Sequence, residues 1–551
     1  MLPSDAPVAP APAPALGRAR VVAFAMIALL AAALVLGPLL ADLGAAFPAE
    51  AATPTATHEP GKVSVAMGLP ETLDPAIAGD AGSAALIGQI FEGLTTVDAE
   101  LAVRPALAES WTYTDGGRTA VFTLREGLTF SDGSPLTAED VRRSWMRVLD
   151  PAAPSPLASL LDDVQGAADY QRGRGSAEAV GLEADGRTFT VRFTRPSTDF
   201  AAVAASPTLA VVPPSAGADP AAFSPGAGFV ASGGYVPAAV TASAIELRAN
   251  DRYWAGAPAI GTVEVLTSLD GANPVEAFRS GDVDLTQVPS PFASWLAYDR
   301  DLGASLREGV SVNLEYLGFD TTSPPFDDAR VRQAFAKAVD WRRLVALGSD
   351  GSEAPATGMI PPAIPGRSPD DYLPAFDPDG ARALLADAGY PGGRGFPPVT
   401  FITNGNLHAE AIVAELRQNL GVDIAFETMD FTQYFDRLAT DPPGMWIVDW
   451  VADYPGRTAI LRLLLGSDQQ NNFGRWSSGP FDAALDEGSA AIDSASAASA
   501  FDRAEAIVRD EAPVVPLSYG TSYWLARDGL LGAGENGLGF VRFAGLSWAD
   551  R

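Results

Sequence analysis

The acidic side chains best placed to bind a cation lie in one aromatic stretch in the last quarter of the chain. This stretch, MWIVDWVADYPGR, runs from Met445 to Arg457 and places Asp449 and Asp453 among two tryptophans and a tyrosine. A carboxylate buried beside indole rings loses its hydration, and the loss is costly unless a cation or hydrogen-bond donors replace the water. Two alternatives follow. Either the acids point to water while the aromatic rings pack inward, or one acid receives a cation from a ligand.

The composition of the chain excludes several kinds of catalytic and metal site. The 551 residues contain no cysteine, which rules out disulfides, thiolate catalysis and zinc ribbons. The two histidines, His58 and His408, lie far apart in sequence, so a metal site or a Ser-His-Asp triad would have to use His408 alone. A net charge of −31 repels phosphates and makes nucleic acid a poor partner. We expect no catalytic residue, no metal site and no cofactor.

The N-terminal segment predicts a location outside the cytoplasm. Residues 1–20 are rich in proline and alanine and are predicted to be disordered, whereas residues 21–41 form an uncharged apolar run that can span a bilayer. Arginines precede this run and acids follow it, which orients the N-terminus inward. The run is predicted to be a transmembrane anchor or, alternatively, a cleaved signal peptide. Residues 42–61 read as a flexible linker. The remaining chain is expected at the cell surface or in the periplasm.

Beyond the linker, short apolar strands alternate with amphipathic helices, which predicts a mixed α/β (α+β) fold. Thr137 is positioned to cap one helix, and Gly389 to end another. A single helix is predicted over residues 328–345. The predicted strands, identified by alternation and β-branching, include VSVAMGL, AVFTLR, TFTVRFT, IELRA, TVEVLT, SVNLEYLGFD, VDIAFET, MWIVDW and EAPVVPLSYG.

Two series of these elements predict two α/β lobes. The chain would cross between them near Val312 and again near Val514, and two crossings form a hinge beside a cleft. The sequence GAGENG at residues 532–537 fits a dinucleotide fingerprint, but the strand-like LGFVRF follows it where a helix is required, so a loop is predicted. Nothing among the 68 acidic residues selects a pair for glycoside hydrolysis.

Six segments, in order along the chain, resemble the dipeptide/oligopeptide-binding family of extracytoplasmic solute-binding proteins (family 5), the receptors of ABC importers. The resemblance covers roughly residues 62–545. The segments are ETLDPAIAGDAGSAALIGQIFEGLTTVD, RPALAESW, FTLREGLTFSDGSPLTAEDVRRSWMRVLDP, YLGFDTTSPPFDDARVRQAFAKAVD, FDPDGARALLADAGYPGGRGFP and DWVADYP.

The resemblance implies a two-lobe periplasmic-binding-protein-like fold with a hinge. Lobe I would comprise residues 62–311 and 513–551, with an inserted subdomain at 77–187, and lobe II residues 312–512. The implied function is a monomeric, non-enzymatic receptor that binds peptides between its lobes and delivers them to ABC-transporter permease subunits. The same fold binding another small solute, such as a sugar or a metal chelate, and a secreted hydrolase remain as alternatives.

The resemblance also implies the ligand-binding residues. In peptide-binding members, the acid of the Trp-x-x-Asp segment pairs with the α-ammonium of the peptide, and this role carries over to Asp453. Trp450 and Val451 carry over to the neighbouring wall and backbone contacts. One departure is Ile447, where some members carry an arginine that captures the peptide carboxylate. The other implied ligand-binding residues are Tyr454, Tyr519 and, in a loop of the opposite lobe, Gly79, Asp80, Ala81 and Ser83.

Overall fold

The computed structural model describes residues 61–549, apart from 218–222, 310, 350–352, 535 and 540. The predicted disordered segment at 1–20, the predicted anchor at 21–41 and all but the last residue of the predicted linker lie outside these residues. Within the part of the chain that is described, no helix is both long enough and apolar enough to cross a bilayer.

Strands and helices are intermixed along the described residues, which confirms the mixed α/β prediction. The strands are β1 (Lys62–Ala66), β2 (Thr95–Val97), β3 (Val103–Pro105), β4 (Ala108–Thr114), β5 (Thr119–Leu124), β6 (Leu182–Asp185), β7 (Thr188–Arg192), β8 (Tyr235–Val240), β9 (Ala244–Ala249), β10 (Thr262–Leu266), β11 (Leu285–Val288), β12 (Leu306–Gly309), β13 (Asn313–Phe319), β14 (Glu353–Pro355), β15 (Val399–Thr403), β16 (Ile424–Thr428), β17 (Met445–Val451), β18 (Val514–Gly520), β19 (Ser522–Ala526), β20 (Leu530–Leu531) and β21 (Ser547–Trp548). The α-helices are α1 (Ala81–Ile90), α2 (Ala138–Val148), α3 (Ala167–Gln171), α4 (Phe200–Val203), α5 (Pro274–Ser280), α6 (Ser290–Leu296), α7 (Ala329–Ala338), α8 (Trp341–Gly348), α9 (Pro378–Asp387), α10 (Ala409–Leu420), α11 (Phe431–Thr440), α12 (Thr458–Leu465), α13 (Gly479–Ala490) and α14 (Ser494–Glu511).

Two large mixed sheets organise these elements. The first has seven strands in the order β12-β19-β11-β1-β10-β9-β8, and the second has six in the order β14-β18-β13-β17-β15-β16. In the second sheet, β17 pairs antiparallel with β13 and parallel with β15. A separate four-stranded antiparallel sheet, β4-β5-β7-β6, is inserted between β1 and β8 along the chain. The last strand of this sheet in chain order, β7, ends at Arg192, five residues beyond the predicted end of the inserted subdomain.

The chain passes from one large sheet to the other at two places. The first passage joins β12 to β13 and coincides with the predicted crossing near Val312. The second joins β18 to β19 at Thr521, not near Val514 as predicted, because β18 pairs with β13 and so belongs to the six-stranded sheet. An apolar strand carries no sequence signal for which sheet it joins.

Local capping signals were mostly correct. Asp140 accepts hydrogen bonds from both the Thr137 backbone N–H (2.7 Å) and the Thr137 hydroxyl (2.8 Å), which caps α2. Gly389 follows α9 with φ +101°, a conformation that favours glycine. The single helix predicted over 328–345 is wrong, because it divides into α7 and α8. Asp340 separates the two and accepts a hydrogen bond from the Arg343 N–H (3.2 Å) as the cap of α8.

Gly318 in β13 leaves no room for a side chain in the sheet that carries the aromatic stretch. It pairs directly with Trp446 of β17, whose indole is 1% exposed, and a Cβ at position 318 would overlap the indole ring. We expect Gly318→Ala to lower the free energy of unfolding by about 1–3 kcal/mol, the usual cost of overpacking. Chemical denaturation measures this loss. Gly88→Ala in α1, where the nearest atom lies 3.9 Å away, is the control and should be neutral or stabilising.

Candidate functional site

Strand β17 leaves the core partway along its length. Its first four residues are buried, whereas Asp449 and Val451 are exposed. Strand β13 pairs with β17 along its whole length, but β15 is in register only with Met445 and Trp446. The second half of β17 therefore has an edge that β15 does not cover, and this edge leads to Asp453.

Asp453 is a half-buried carboxylate without a partner. Among the described residues, no hydrogen bond or ion pair reaches its side chain, and burial raises its pKa to about 6. A desolvated carboxylate gains most from a ligand cation when, as for Asp453 among the described residues, no other group neutralises it. Asp453 therefore has the features expected of an acid that receives a cation from a ligand, a role that stays a prediction.

Asp449 lies in the second half of β17, which β15 does not cover. Its side chain is exposed, yet burial by surrounding protein raises its pKa, a combination that indicates a recess in the surface. Unlike Asp453, it has a partner, because the Asn313 amide donates a hydrogen bond to its Oδ1. The structure therefore distinguishes the two acids by their partners, which strand alternation could not do.

The aromatic neighbours of Asp453 occupy different environments. Trp450 is half-buried, and its buried indole N–H has no hydrogen-bond acceptor within the described residues. The Val451 side chain is 51% exposed. Tyr454 is buried in the core, where its hydroxyl lies 3.0 Å from Thr458 Oγ1. Trp450 and Val451 thus keep accessible surface beside Asp453, whereas the Tyr454 side chain is occupied by packing.

The predicted loop of the opposite lobe forms the start of α1. Asp80 caps the helix by accepting a hydrogen bond from the Ser83 N–H (2.8 Å), and its buried Oδ2 has no partner within the described residues. Ser83 is fully buried, and its hydroxyl oxygen accepts hydrogen bonds from two backbone N–H groups at 71 and 72. Gly79 and Ala81 are exposed. Among the described contacts, none joins this loop to Asp453, and backbone groups at Gly79 and Ala81 remain the accessible ones.

Tyr519 lies in β18 and is 3% exposed. Its side chain is buried. Its hydroxyl donates a hydrogen bond to the Gly358 carbonyl (2.8 Å) and accepts one from the Thr357 N–H (3.2 Å). With both hydrogen-bonding roles filled, its side chain holds the 357–358 loop against the sheet and is not available to a ligand.

One cluster was missed by the sequence analysis. Glu315 of β13, Glu353 of β14 and His408, immediately before α10, bring one ligand-type atom each to within 4.8 Å of one another. Burial, and then the charge of Glu353, raises the pKa of Glu315 to about 8. Burial opposes protonation of His408, but the hydrogen bond to Glu353 and the charges of both glutamates outweigh it and raise its pKa. An acid within the otherwise apolar strand LEYLGF was the one signal of this cluster in the sequence.

Asp453 should make the stability of the ligand-free protein depend on pH. Its folded pKa of about 6 lies above the ordinary value of 3.8, so the folded state holds this proton more tightly than the unfolded chain does. This contribution favours folding below about pH 4 and is lost as the pH rises through about 6. We expect Asp453→Asn to raise the free energy of unfolding at pH 8 by about 1–2 kcal/mol, with little difference at pH 4. Chemical denaturation of the native and variant proteins at both pH values measures the effect.

The control for this measurement is Asp251→Asn, which changes an exposed acid elsewhere in the chain. Its stability difference should be small and equal at both pH values. A variant at position 453 that is less stable than the native protein at pH 8 would contradict the assignment, because it would mean that the carboxylate has a stabilising partner.

Comparison with known proteins identifies the family. A family model described as bacterial extracellular solute-binding proteins, family 5 (middle), matches residues 102–472. The probable deoxycholate-binding periplasmic protein YgiS of Escherichia coli (strain K12) is 32% identical over 464 residues, covering 82% of this chain and 86% of that protein. The oligopeptide-binding protein OppA of Bacillus subtilis (strain 168) is 26% identical and covers 86% of this chain and 90% of that protein.

The fold is shared with solved two-lobe binding proteins. The Escherichia coli murein tripeptide binding protein MppA superposes with a TM-score of 0.73 at 25% identity, covering 90% of this chain and all of that one. The two large sheets, joined by two passages of the chain, correspond to the two-lobe architecture that the sequence predicted. The chain belongs to family 5 of the bacterial extracellular solute-binding proteins.

Proposed function

We propose that this protein is the receptor of an ABC importer that binds peptides between its two lobes and delivers them to membrane permease subunits. The observation that carries the proposal is Asp453, a desolvated carboxylate beside the uncovered edge of β17 that has no partner in the described part of the chain. A peptide has two groups that can bind to Asp453 and to the strand edge beside it. Its α-ammonium can pair with the carboxylate, and its backbone can hydrogen-bond to an exposed strand edge whatever its side chains are.

The proposed lobes follow the two large sheets. Lobe I comprises the seven-stranded sheet and its inserted subdomain, and lobe II the six-stranded sheet, with the hinge at the β12–β13 and β18–β19 passages. Asp453, Trp450 and Val451 form the wall contributed by lobe II. The loop before α1 contributes backbone groups from lobe I. The protein acts as a monomer and a carrier, without catalysis, and residues 21–41 attach it to the membrane or direct its export.

An anionic ligand fits this wall less well. One relative is named as a probable deoxycholate-binding protein, and deoxycholate carries a carboxylate. Asp449 and Asp453 both lie where such a ligand would approach, and like charges in a desolvated recess repel each other. A zwitterionic peptide can direct its ammonium to Asp453 and keep its own carboxylate elsewhere.

The proposal is tested by calorimetry of the purified protein against a mixed peptide library, with deoxycholate as the competing class. Mass spectrometry identifies small molecules that co-purify with the protein and shows whether added peptides are cleaved. We expect saturable binding of intact peptides and weaker or absent binding of deoxycholate. Preferential binding of deoxycholate, or cleavage of the peptides, would overturn the proposal.

A further inference from the structure

A histidine and two glutamates converge in lobe II from three distant parts of the chain. His408 Nε2 lies 3.1 Å from Glu353 Oε2 and 3.8 Å from Glu315 Oε2. His408 is 2% exposed and Glu315 6%, while the Glu353 side chain is 26% exposed. Two of the three side chains are therefore buried, and the cluster reaches solvent through Glu353.

Acidic side chains outnumber basic ones among the described residues of the cluster and its immediate surroundings. Two buried or half-buried carboxylates meet one imidazole, and Asp449 stands directly across the sheet from Glu315. Among the described contacts of the three side chains, none is made with a lysine or an arginine. Buried charges in proteins are either paired or bound to metal ions, and the net charge of two carboxylates and a neutral imidazole balances one divalent cation.

The neighbouring side chains hold these groups in place. The Asn406 amide donates to Glu315, and its oxygen accepts the His408 backbone N–H (2.8 Å). The Ser518 hydroxyl donates to Glu315 (3.2 Å). These contacts hold two of the three proposed ligands in place, Glu315 in β13 and His408 immediately before α10. Such support around the ligands is typical of metal sites.

The distances suit a small transition-metal ion. Zn²⁺ binds imidazole nitrogen and carboxylate oxygen at about 2.0–2.2 Å, which places tetrahedral ligand atoms roughly 3.3–3.5 Å apart. The two separations from His408 Nε2, 3.1 and 3.8 Å, lie on either side of that value. One nitrogen and two oxygen ligands favour Zn²⁺ or a similar ion over Mg²⁺ and Ca²⁺, which prefer oxygen ligands alone.

We propose that His408, Glu315 and Glu353 form a binding site for one divalent transition-metal ion of the Zn²⁺ class. The ion would tie β13, β14 and the start of α10 together and neutralise two carboxylates next to the strand that carries Asp449 and Asp453. This proposal concerns lobe II alone and stands independently of the ligand bound between the lobes. A failure of metal binding would leave the peptide proposal untouched.

The test is calorimetric titration of Zn²⁺ into the tag-free, chelator-treated full chain, in the presence of excess Mg²⁺ to occupy exposed carboxylates. Co²⁺ substitution adds a spectroscopic readout, because its visible bands report nitrogen and oxygen coordination in a tetrahedral site. We expect one Zn²⁺ per chain, a rise in thermal stability on binding, and tetrahedral Co²⁺ bands. Absence of stoichiometric binding under these conditions would overturn the proposal and leave the cluster as a hydrogen-bonded network.

Three variants assign the ligands. His408→Gln and Glu353→Gln should each weaken Zn²⁺ binding by more than about 10-fold and abolish the tetrahedral Co²⁺ bands. Glu353→Gln changes the most exposed of the three side chains, so its fold is the least affected if His408→Gln fails to fold. The matched control is His58→Ala, since His58 is the other histidine of the chain, and it should bind as the native protein does. Binding that survives Glu353→Gln, or that is lost in His58→Ala, would overturn the assignment.

Discussion

Replacing Asp453 with asparagine is expected to weaken peptide binding by about 2–5 kcal/mol, the range for truncating one partner of a buried charge pair. A tenfold change in affinity corresponds to about 1.4 kcal/mol, so the expected loss is at least roughly 30-fold. The physical reason is that asparagine preserves the shape of the wall but leaves the ligand ammonium desolvated and unpaired. Calorimetry with a peptide identified from the mixed library measures the loss.

A double cycle separates this pairing from a general disturbance of the site. N-acetylation removes the ammonium of the peptide and should weaken its binding to the native protein by a similar amount. The acetylated peptide should lose little further affinity for Asp453→Asn, because the two changes remove the same interaction. Additive losses would show that Asp453 acts in some other way. Since Asp453→Asn is expected to stabilise the ligand-free protein at pH 8, a loss of binding in that variant would not reflect unfolding.

The second large effect is expected at Arg147 of α2, which pairs with Asp74 in the segment after β1. Its guanidinium donates two hydrogen bonds to the Asp74 carboxylate (2.9 and 2.6 Å) and lies 5.1 Å from the centre of the Phe223 ring. Asp74 is 6% exposed. We expect Arg147→Met to lower the free energy of unfolding by about 3 kcal/mol, because it leaves a buried carboxylate without its cation. Chemical denaturation at neutral pH measures the change.

The paired control is Arg147→Met combined with Asp74→Asn. Removing both charges should restore part of the lost stability, since the cost in the single variant comes from the unpaired charge more than from the missing attraction. A single variant as stable as the native protein would contradict the prediction. A double variant with the same stability as the single one would assign the cost to lost packing against Phe223 instead.

Several elements of the fold, including the strand of the candidate site, could be predicted because their signals are local. Alternation of apolar and polar residues identified β1, β5, β7, β9 and β10, and a capping pair identified the start of α2 at Thr137. The start of the aromatic stretch was correctly predicted to be a strand, β17, which contains Asp449 and ends two residues before Asp453. Each of these depends on neighbours within a few residues, so the chain encodes them without reference to its fold.

Contacts between distant segments could not be obtained in this way. The sequence could not show that β18 joins the second sheet, that the helix after β13 breaks at Asp340, or that Tyr454 and Tyr519 point into the interior. Each of these outcomes depends on which distant part of the chain the segment packs against. The residues of the segment are compatible with more than one such partner, so they do not specify it.

By itself, the sequence determined the family, the mixture of strands and helices, and the two acids beside the tryptophans. Only the tertiary structure decided that Asp449 receives the Asn313 amide while Asp453 has no partner within residues 61–549 as described. The same is true of His408, which meets Glu315 and Glu353 across 93 and 55 residues of sequence. The reason is physical: the desolvation and charge of a side chain are set by every group around it in space, and pairing of strands far apart in the chain chooses those groups.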